Sequence, residues 1–492
     1  MPGGLGLYGY TFGEPSLFGG NLTTGVKNGS LELTRLDDMV QRIMTPFFFL
    51  GQDKDYPLVD PSSADLNTFS PISTWLQDWP MNGTRSVDVR ADHGEFIRKL
   101  GASSIVLLKN ENSSLPLKAP KRIAIFGNDA SEDTEGYYNQ ANFEYGTLSV
   151  GGGSGTGRLT YLVTPLEAVK ARAKQDGALI QQWLNNTLIA MTDITTLAIP
   201  EQPDVCLVFL KTWAEEAADR VSLDLDWDGN GVVESVASYC SNTIVVTHSS
   251  GINNLPFAGH ENVTAILAAH YPGQESGNSI VDVLYGDVNP SGKLPYSIAL
   301  KSDDYNGLPI TAVNSTDPYA WQVYFEEKLE IDYRYFDAQN MSVLYEFGFG
   351  LSYTNFSVSA LTISKLSNAT LTPTSPPQPI LPGGNPALWE DLVSVTVSVE
   401  NTGTLPGATV PQLYIMMPSS APAGTPLKQL RGFEKVFLER GGKETVTFQL
   451  MRRDLSFWDT GKQDWVLPAG DFGVAVGLSS RDLKVSGSFA LL

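Results

Sequence analysis

Val205-Cys206-Leu207-Val208-Phe209-Leu210 is an unbroken apolar run, and Trp213-Ala214-Glu215-Glu216-Ala217-Ala218-Asp219-Arg220 follows it closely. A run that short and that uniformly apolar reads as a strand buried on both faces of a parallel sheet. The acidic stretch then leaves the end of such a strand, where open α/β sheets bind ligands in the crevice outside the strand ends. Two adjacent glutamates are read first as a solvated acidic pair. Their place after a buried strand, with Trp213 beside them, raises the alternative: a carboxylic acid set to protonate a leaving group. Glycoside hydrolysis is the chemistry that most often needs this, and it needs a second carboxylate opposite the first.

The flanking pattern extends the α/β reading. A helix at 93–103 precedes a strand at 105–109. Strands follow at 122–126, 243–247 and 263–268, with helices opening at Thr164-Pro165-Leu166, over 232–239 and from Pro272 to Leu284. Helices alternating with strands predict a mostly parallel sheet. Upstream, the first ninety residues are irregular apart from one helix over 33–49, in which Leu36, Met39, Val40, Ile43 and Met44 recur at helical spacing. Beyond a Pro-, Ser- and Thr-rich stretch at 366–387, read as an exposed loop or linker, the period becomes two. Val393 to Val399 alternates, and 412–416, 444–450 and 470–476 repeat the theme. Short strands at that spacing describe a β-sandwich, with 356–363 as its first edge.

At 492 residues the chain has room for about three domains of roughly 150 residues each. The net charge of −21, with no Lys/Arg cluster, argues against nucleic acid and anionic membranes as partners. No apolar stretch approaches the roughly 18 residues of a membrane helix. Ten Asn-x-Ser/Thr sequons, at Asn21, Asn28, Asn82, Asn112, Asn185, Asn262, Asn314, Asn340, Asn355 and Asn368, favour a secreted glycoprotein. Met1-Pro2-Gly3-Gly4 carries no leader signature, so a missing N-terminus is expected. Cys206 and Cys240 fit either one disulfide between a strand and the following helix or two buried thiols. Four histidines and two cysteines show no zinc-ligand spacing, and neither metal nor cofactor is expected.

Two motifs invite sharper readings and do not sustain them. Gly151-Gly152-Gly153-Ser154-Gly155-Thr156-Gly157 lacks the Lys-Ser/Thr that closes a phosphate cradle, and a flexible loop near the cleft is preferred. Asp224-Leu225-Asp226-Trp227-Asp228-Gly229 imitates the start of a calcium loop, but its twelfth position is Ser235 where a bidentate Glu is needed. Asp228 or Asn230 is instead read as the N-cap of the helix that follows.

Taken together the motifs resemble the family-3 glycoside hydrolases, in particular the fungal secreted β-glucosidases. The likeness spans essentially the whole chain, through Met1-Pro2-Gly3, Gly19-Gly20-Asn21-Leu22-Thr23, Arg35-Leu36-Asp37-Asp38-Met39 and Val106-Leu107-Leu108-Lys109-Asn110. Its most specific stretches are His270-Tyr271-Pro272-Gly273-Gln274-Glu275-Ser276-Gly277-Asn278 and Gly286-Asp287-Val288-Asn289-Pro290-Ser291-Gly292-Lys293-Leu294-Pro295. Tyr345-Glu346-Phe347-Gly348-Phe349-Gly350-Leu351-Ser352-Tyr353 and Gln429-Leu430-Arg431-Gly432-Phe433 carry it into the last domain.

The resemblance implies the tail of a (β/α)8-like barrel and a linker over 1–91, an α/β sandwich over 92–300, and a connecting segment over 301–352. A fibronectin type III-like domain over 353–492, with the Pro-rich insertion 366–387, completes it. It implies a cofactor-free retaining β-glucosidase acting on cellobiose and related β-glucosides, with Glu216 as acid/base by its spacing to Asp219-Arg220. A β-xylosidase, or a non-catalytic carbohydrate-binding fragment, is the alternative. Tyr8 and Phe18, with Tyr10 and Phe12, are candidate sugar platforms, and a homodimer is allowed. Two departures stand out. The chain begins at the Met-Pro-Gly motif that in the family follows the nucleophilic Asp, so the barrel is expected to be missing and the chain inactive by itself. Ala217-Ala218 also replaces the Gly-aromatic pair that normally follows the acid.

Overall fold

The computed structural model describes residues 19–55, 88, 90–132, 146–153, 159–196, 201–216, 220–307, 324–366, 371–377 and 384–492. The chain divides into two compact units, one of 1–91 with 375–389, the other of 92–374 with 390–492. In the first unit, α1 (Gly20–Lys27) joins the expected helix, α2 (Leu33–Phe49). The periodic apolar residues of α2 are present, yet none of its residues is buried.

The second unit is built on a six-stranded sheet. Its strands are β1 (Val106–Asn110), β2 (Arg122–Phe126), β3 (Leu179–Trp183), β4 (Val205–Thr212), β5 (Thr243–Ser249) and β6 (Val263–Ala268), in the order β1-β6-β5-β4-β2-β3. All pairings are parallel except β1 with β6, so one edge strand runs against the rest. Every residue of β4, β5 and β6 is buried. The pleat sends alternate side chains to opposite faces. Leu207 and Phe209 join one core, and Cys206, Val208 and Leu210 join the other.

Helices cover both faces: α3 (His93–Ser104), α4 (Pro165–Asp176), α5 (Asn186–Met191), α6 (Gly229–Tyr239) and α7 (Ser276–Leu284). The first core takes Leu166 and Val169 of α4 with Ile280 and Leu284 of α7, and the second takes Ile189 of α5 with Val232 and Val236 of α6. Fully burying each such side chain stabilises the fold by about 1.5–3 kcal/mol. Local chemistry sets the helix ends. Thr164 and Glu167 form a reciprocal capping box ahead of Pro165, and Gly177 closes α4 in the left-handed region at φ 66°. Cys206 on β4 and Cys240 at the end of α6 are joined as a disulfide, which decides between the two readings left open by the sequence.

The C-terminal sandwich packs two antiparallel sheets. β7 (Phe356–Lys365), β8 (Asp391–Asn401) and β11 (Lys443–Met451) form one, in the order β11-β8-β7. β9 (Gln412–Met416), β10 (Gln429–Phe433), β12 (Asp471–Gly477) and β13 (Leu483–Ala490) form the other, in the order β10-β9-β12-β13. The alternation of β8 buries Val393, Val395, Val397 and Val399 against Leu413, Ile415, Phe448 and Phe472.

Candidate active site

The sheet order itself marks a place for a ligand. From β2 the chain passes outward to β3, then returns across β2 to β4, so β2 and β4 are neighbours whose connections leave in opposite directions. The crevice outside the carboxyl ends of such a pair is where open α/β sheets bind. The chain leaving β2 passes very close to β4. A Cβ on Gly127, which sits at φ 102°, would stand 2.0 Å from the Phe209 carbonyl oxygen, so only glycine fits.

The acidic stretch leaves β4 at this point, as its sequence position predicts. Trp213 N–H donates to Asp226 Oδ2 at 2.6 Å, and Asp226 N–H returns to the Lys211 carbonyl at 3.0 Å. Asp226 therefore fixes the start of the acid loop, a role that the sequence reading, occupied with a calcium mimic, did not find. The neighbouring carboxylates are likewise engaged by the chain: Asp228 Oδ1 accepts Gly231 N–H at 3.2 Å as the N-cap of α6, and Asp224 Oδ1 accepts Asn254 Nδ2 at 2.8 Å. Among the described residues no group of three or more His, Cys, Asp or Glu is placed to hold a metal.

Glu215 is half-buried and Glu216 exposed. Against them runs a strap formed by residues 146–153, the described part of the glycine-rich loop and the turn before it. Gly152 N–H donates to the Ala214 carbonyl at 3.2 Å. A Cβ on Gly152 would lie 2.5 Å from Glu215 Cβ, and one on Gly153, at φ 85°, would lie 2.5 Å from Glu216 Cβ. The glycines are thus what lets one backbone lie directly on another. At its other end the strap is fastened repeatedly, Thr147 N–H donating to the Ser131 carbonyl at 2.9 Å. Lys211, 1% exposed, donates to the Gly146 carbonyl, and Leu148 N–H donates to Asp129 Oδ1 at 2.8 Å. Thr147 Oγ1 donates to the Asp129 carbonyl at 2.8 Å, and Gly273 N–H to the Ser149 carbonyl at 3.0 Å.

Downstream, Arg220 donates to the Ile252 carbonyl at 2.6 Å and to Asn253 Oδ1 at 3.3 Å. Burial depresses the pKa of its guanidinium, against the pull of Asp226 and other acids nearby. Burial pushes the Tyr271 phenol up and the His270 imidazole down, the latter helped by His248, so both favour the neutral form. Tyr8, Tyr10, Phe12 and Phe18, and with them Ala217, Ala218 and Asp219, lie outside the described residues. A cavity of about 450 Å³ lies elsewhere in the unit, lined by Lys293, Glu346, Phe349 and Asp482. No residue of the acid loop lines it, and the chemistry points to the strand ends instead.

The chain is similar to known proteins over nearly all its length. Residues 105–353 match the glycosyl hydrolase family 3 C-terminal domain, and residues 409–480 the fibronectin type III-like domain. "Probable beta-glucosidase G" of Aspergillus flavus is 65% identical over 486 residues, covering 98% of this chain and 59% of that protein. The Aspergillus terreus protein of the same name is 63% identical with the same coverage. The chain thus spans about three-fifths of the length of these relatives. Among solved structures, Chaetomium thermophilum beta-glucosidase superposes with a TM-score of 0.84 at 34% identity, covering 96% of this chain and 66% of that one. Trichoderma reesei beta-D-glucoside glucohydrolase does so at 0.79 and 36%, covering 97% and 63%. With its α/β layer matched by the glycosyl hydrolase family 3 C-terminal domain over half of the chain's length and a fibronectin type III-like sandwich following, this chain is a member of glycoside hydrolase family 3.

Proposed function

We propose that the chain carries the acid/base half of a retaining β-glucosidase active site, releasing terminal glucose from cellobiose and related β-glucosides, with Glu216 as the acid/base. The observation that carries this reading is the placement of Glu216: exposed, at the open end of the β2–β4 crevice, with a glycine backbone laid against it. The relatives' printed names support the substrate class.

In this scheme the Glu216 carboxyl gives its proton to the glycosidic oxygen as the bond from that oxygen to the anomeric carbon breaks. A carboxylate on the opposite face forms the new bond to that carbon. Glu216, now ionised, takes a proton from the water that releases the sugar. The paired carboxylate stands about 5–5.5 Å away in a retaining enzyme. The nucleophilic Asp that the resemblance implies for it is assigned to the part of the relatives' length that this chain does not span. The reading includes passage through an oxidising, secretory compartment. The Cys206–Cys240 disulfide supports this, as do exposed sequons at Asn21, Asn28, Asn112, Asn185, Asn340 and Asn355.

The test is a chimera joining this chain to the N-terminal part of the Aspergillus flavus relative. Glu216→Gln should lower turnover of cellobiose about 10²- to 10⁴-fold, and that of an activated aryl glucoside much less, because a good leaving group needs little proton help. Glu215→Gln should be near neutral on both. A leaving-group-dependent loss from Glu215→Gln alone would move the assignment to that residue.

A further inference from the structure

Three side chains beneath the site form an array that the scheme above does not use. Asp129, in the chain leaving β2, pairs through Oδ2 with His248 Nδ1 on β5, and His248 Nε2 lies 2.9 Å from Ser276 Oγ at the start of α7. Since the carboxylate only accepts, Nδ1 carries the proton, and Nε2 is left to accept the Ser276 hydroxyl. The order Asp-His-Ser matches that of a nucleophilic triad. All three residues are 0% exposed, which rules out a substrate at the serine.

What the array does reach is the strap. Asp129 holds His248 with one oxygen and, with the other, accepts Leu148 N–H at 2.8 Å, while its carbonyl accepts Thr147 Oγ1. Five residues beyond Leu148, Gly153 abuts the Glu216 backbone and Cβ. One carboxylate thus ties a strand to a loop, and the imidazole on that strand extends the tie to a helix start. That carboxylate sets the height of the strap against the end of β4. In a buried setting such a network is stiff only while every member is satisfied, since removing one hydroxyl leaves a ring nitrogen without a partner.

We infer that Asp129, His248 and Ser276 are positioning residues for the Glu216 carboxyl, acting through the strap from Leu148 to Gly153. The inference rests on Glu216 being the acid/base, and the experiment separates the two. Ser276→Ala is the mildest cut, removing only the hydroxyl; His248→Asn is the second variant should the first not fold. On the chain itself, amide hydrogen exchange at Leu148 and Gly152 should quicken roughly 5- to 10-fold in either variant, as an unsupported bond opens more often.

In the chimera, turnover of cellobiose should fall about 10- to 100-fold, the scale of a displaced catalytic group. Turnover of an activated aryl glucoside should fall by less than about threefold, because proton donation alone is impaired. KM for both should be unchanged. Equal losses on the two substrates, or unaltered exchange in the strap, would overturn the inference. If Glu216→Gln itself shows no leaving-group dependence, the acid assignment fails and this inference fails with it. That failure would be recognisable because faster exchange in the strap would still appear in Ser276→Ala.

Discussion

Gly153→Ala is a small change with a sharply placed consequence. The new Cβ would lie 2.5 Å from Glu216 Cβ, 2.8 Å from its backbone nitrogen and 3.2 Å from its Cα. Carbon atoms settle at about 3.5–4.0 Å, so the two backbones must part by about 1 Å. Rotating the glutamate side chain does not relieve it, because main-chain atoms are among those struck. The left-handed conformation adds about 1–2 kcal/mol for a non-glycine residue. Gly177→Ala supplies the control: it has φ 66° at the end of α4 and nothing within 4 Å of its would-be Cβ. Gly177→Ala should lose about 1–2 kcal/mol of stability in urea titrations, and Gly153→Ala at least as much. Only Gly153→Ala should also lose about 10²-fold in turnover of cellobiose by the chimera, the scale of a 1 Å misplacement. Aryl glucoside turnover should fall less. Equal kinetics for the two variants would refute the idea that the strap sets the carboxyl.

Other consequences follow from the same structure. Replacing both Cys206 and Cys240 by alanine opens a sequence separation of 34 residues and should destabilise the fold by about 4 kcal/mol on the chain-entropy account; an unchanged urea midpoint would contradict this. Burial lowers the Lys293 pKa to about 8, from 10.5 when free. Between those values the unfolded chain holds a proton that the native chain has shed, so stability should rise with pH from about 8 to 10.5 and the burial cost should be full below 8. Lys293→Met should flatten that rise, as urea titrations across the range would show. In a secretory host, glycopeptide mass spectrometry should find sugar on exposed Asn112, Asn340 and Asn355 but not on Asn262, whose half-buried Nδ2 already donates to the Ala237 carbonyl at 2.8 Å; a glycan on Asn262 would show that this bond does not protect it.

The parts legible in the sequence were those in which every residue agreed. β4, β5 and β6 are buried throughout and mostly apolar because both faces are covered, and the alternation of β8 follows from one covered face. β3 escaped notice. It is an edge strand, Leu179-Ile180-Gln181-Gln182-Trp183, with no residue fully buried and so no clean pattern. α5 is six residues long, too short to show a period, and its N-cap Asn185 was visible only as a sequon. The antiparallel sense of β1 depends on a partner more than 150 residues away, which local pattern does not encode. In α2 the period was correct, yet the face it predicts is not buried: Val40 and Ile43 are exposed.

The site divides in the same way. The strand before it drew attention to the acidic pair Glu215-Glu216, and the choice of Glu216 within the pair rested on the family spacing to Asp219-Arg220. The strap was not found, because the need for glycine at 152 and 153 arises from a backbone some sixty residues later. One signal for the buried array was available: His248 is an imidazole in the otherwise apolar and hydroxyl-bearing strand Thr243–Ser249.

The central claim is that Glu216 is the acid/base, and azide tests it most directly. In the Glu216→Ala chimera acting on an activated aryl glucoside, the glycosyl intermediate should form but await a water that has no base to deprotonate it. Azide needs no deprotonation, so it should restore turnover in proportion to its concentration and emerge as the β-glucosyl azide, having entered from the face vacated by Glu216. The Glu215→Ala chimera should gain nothing. An α-azide product, or rescue of the Glu215 variant and not of the Glu216 variant, would contradict the account.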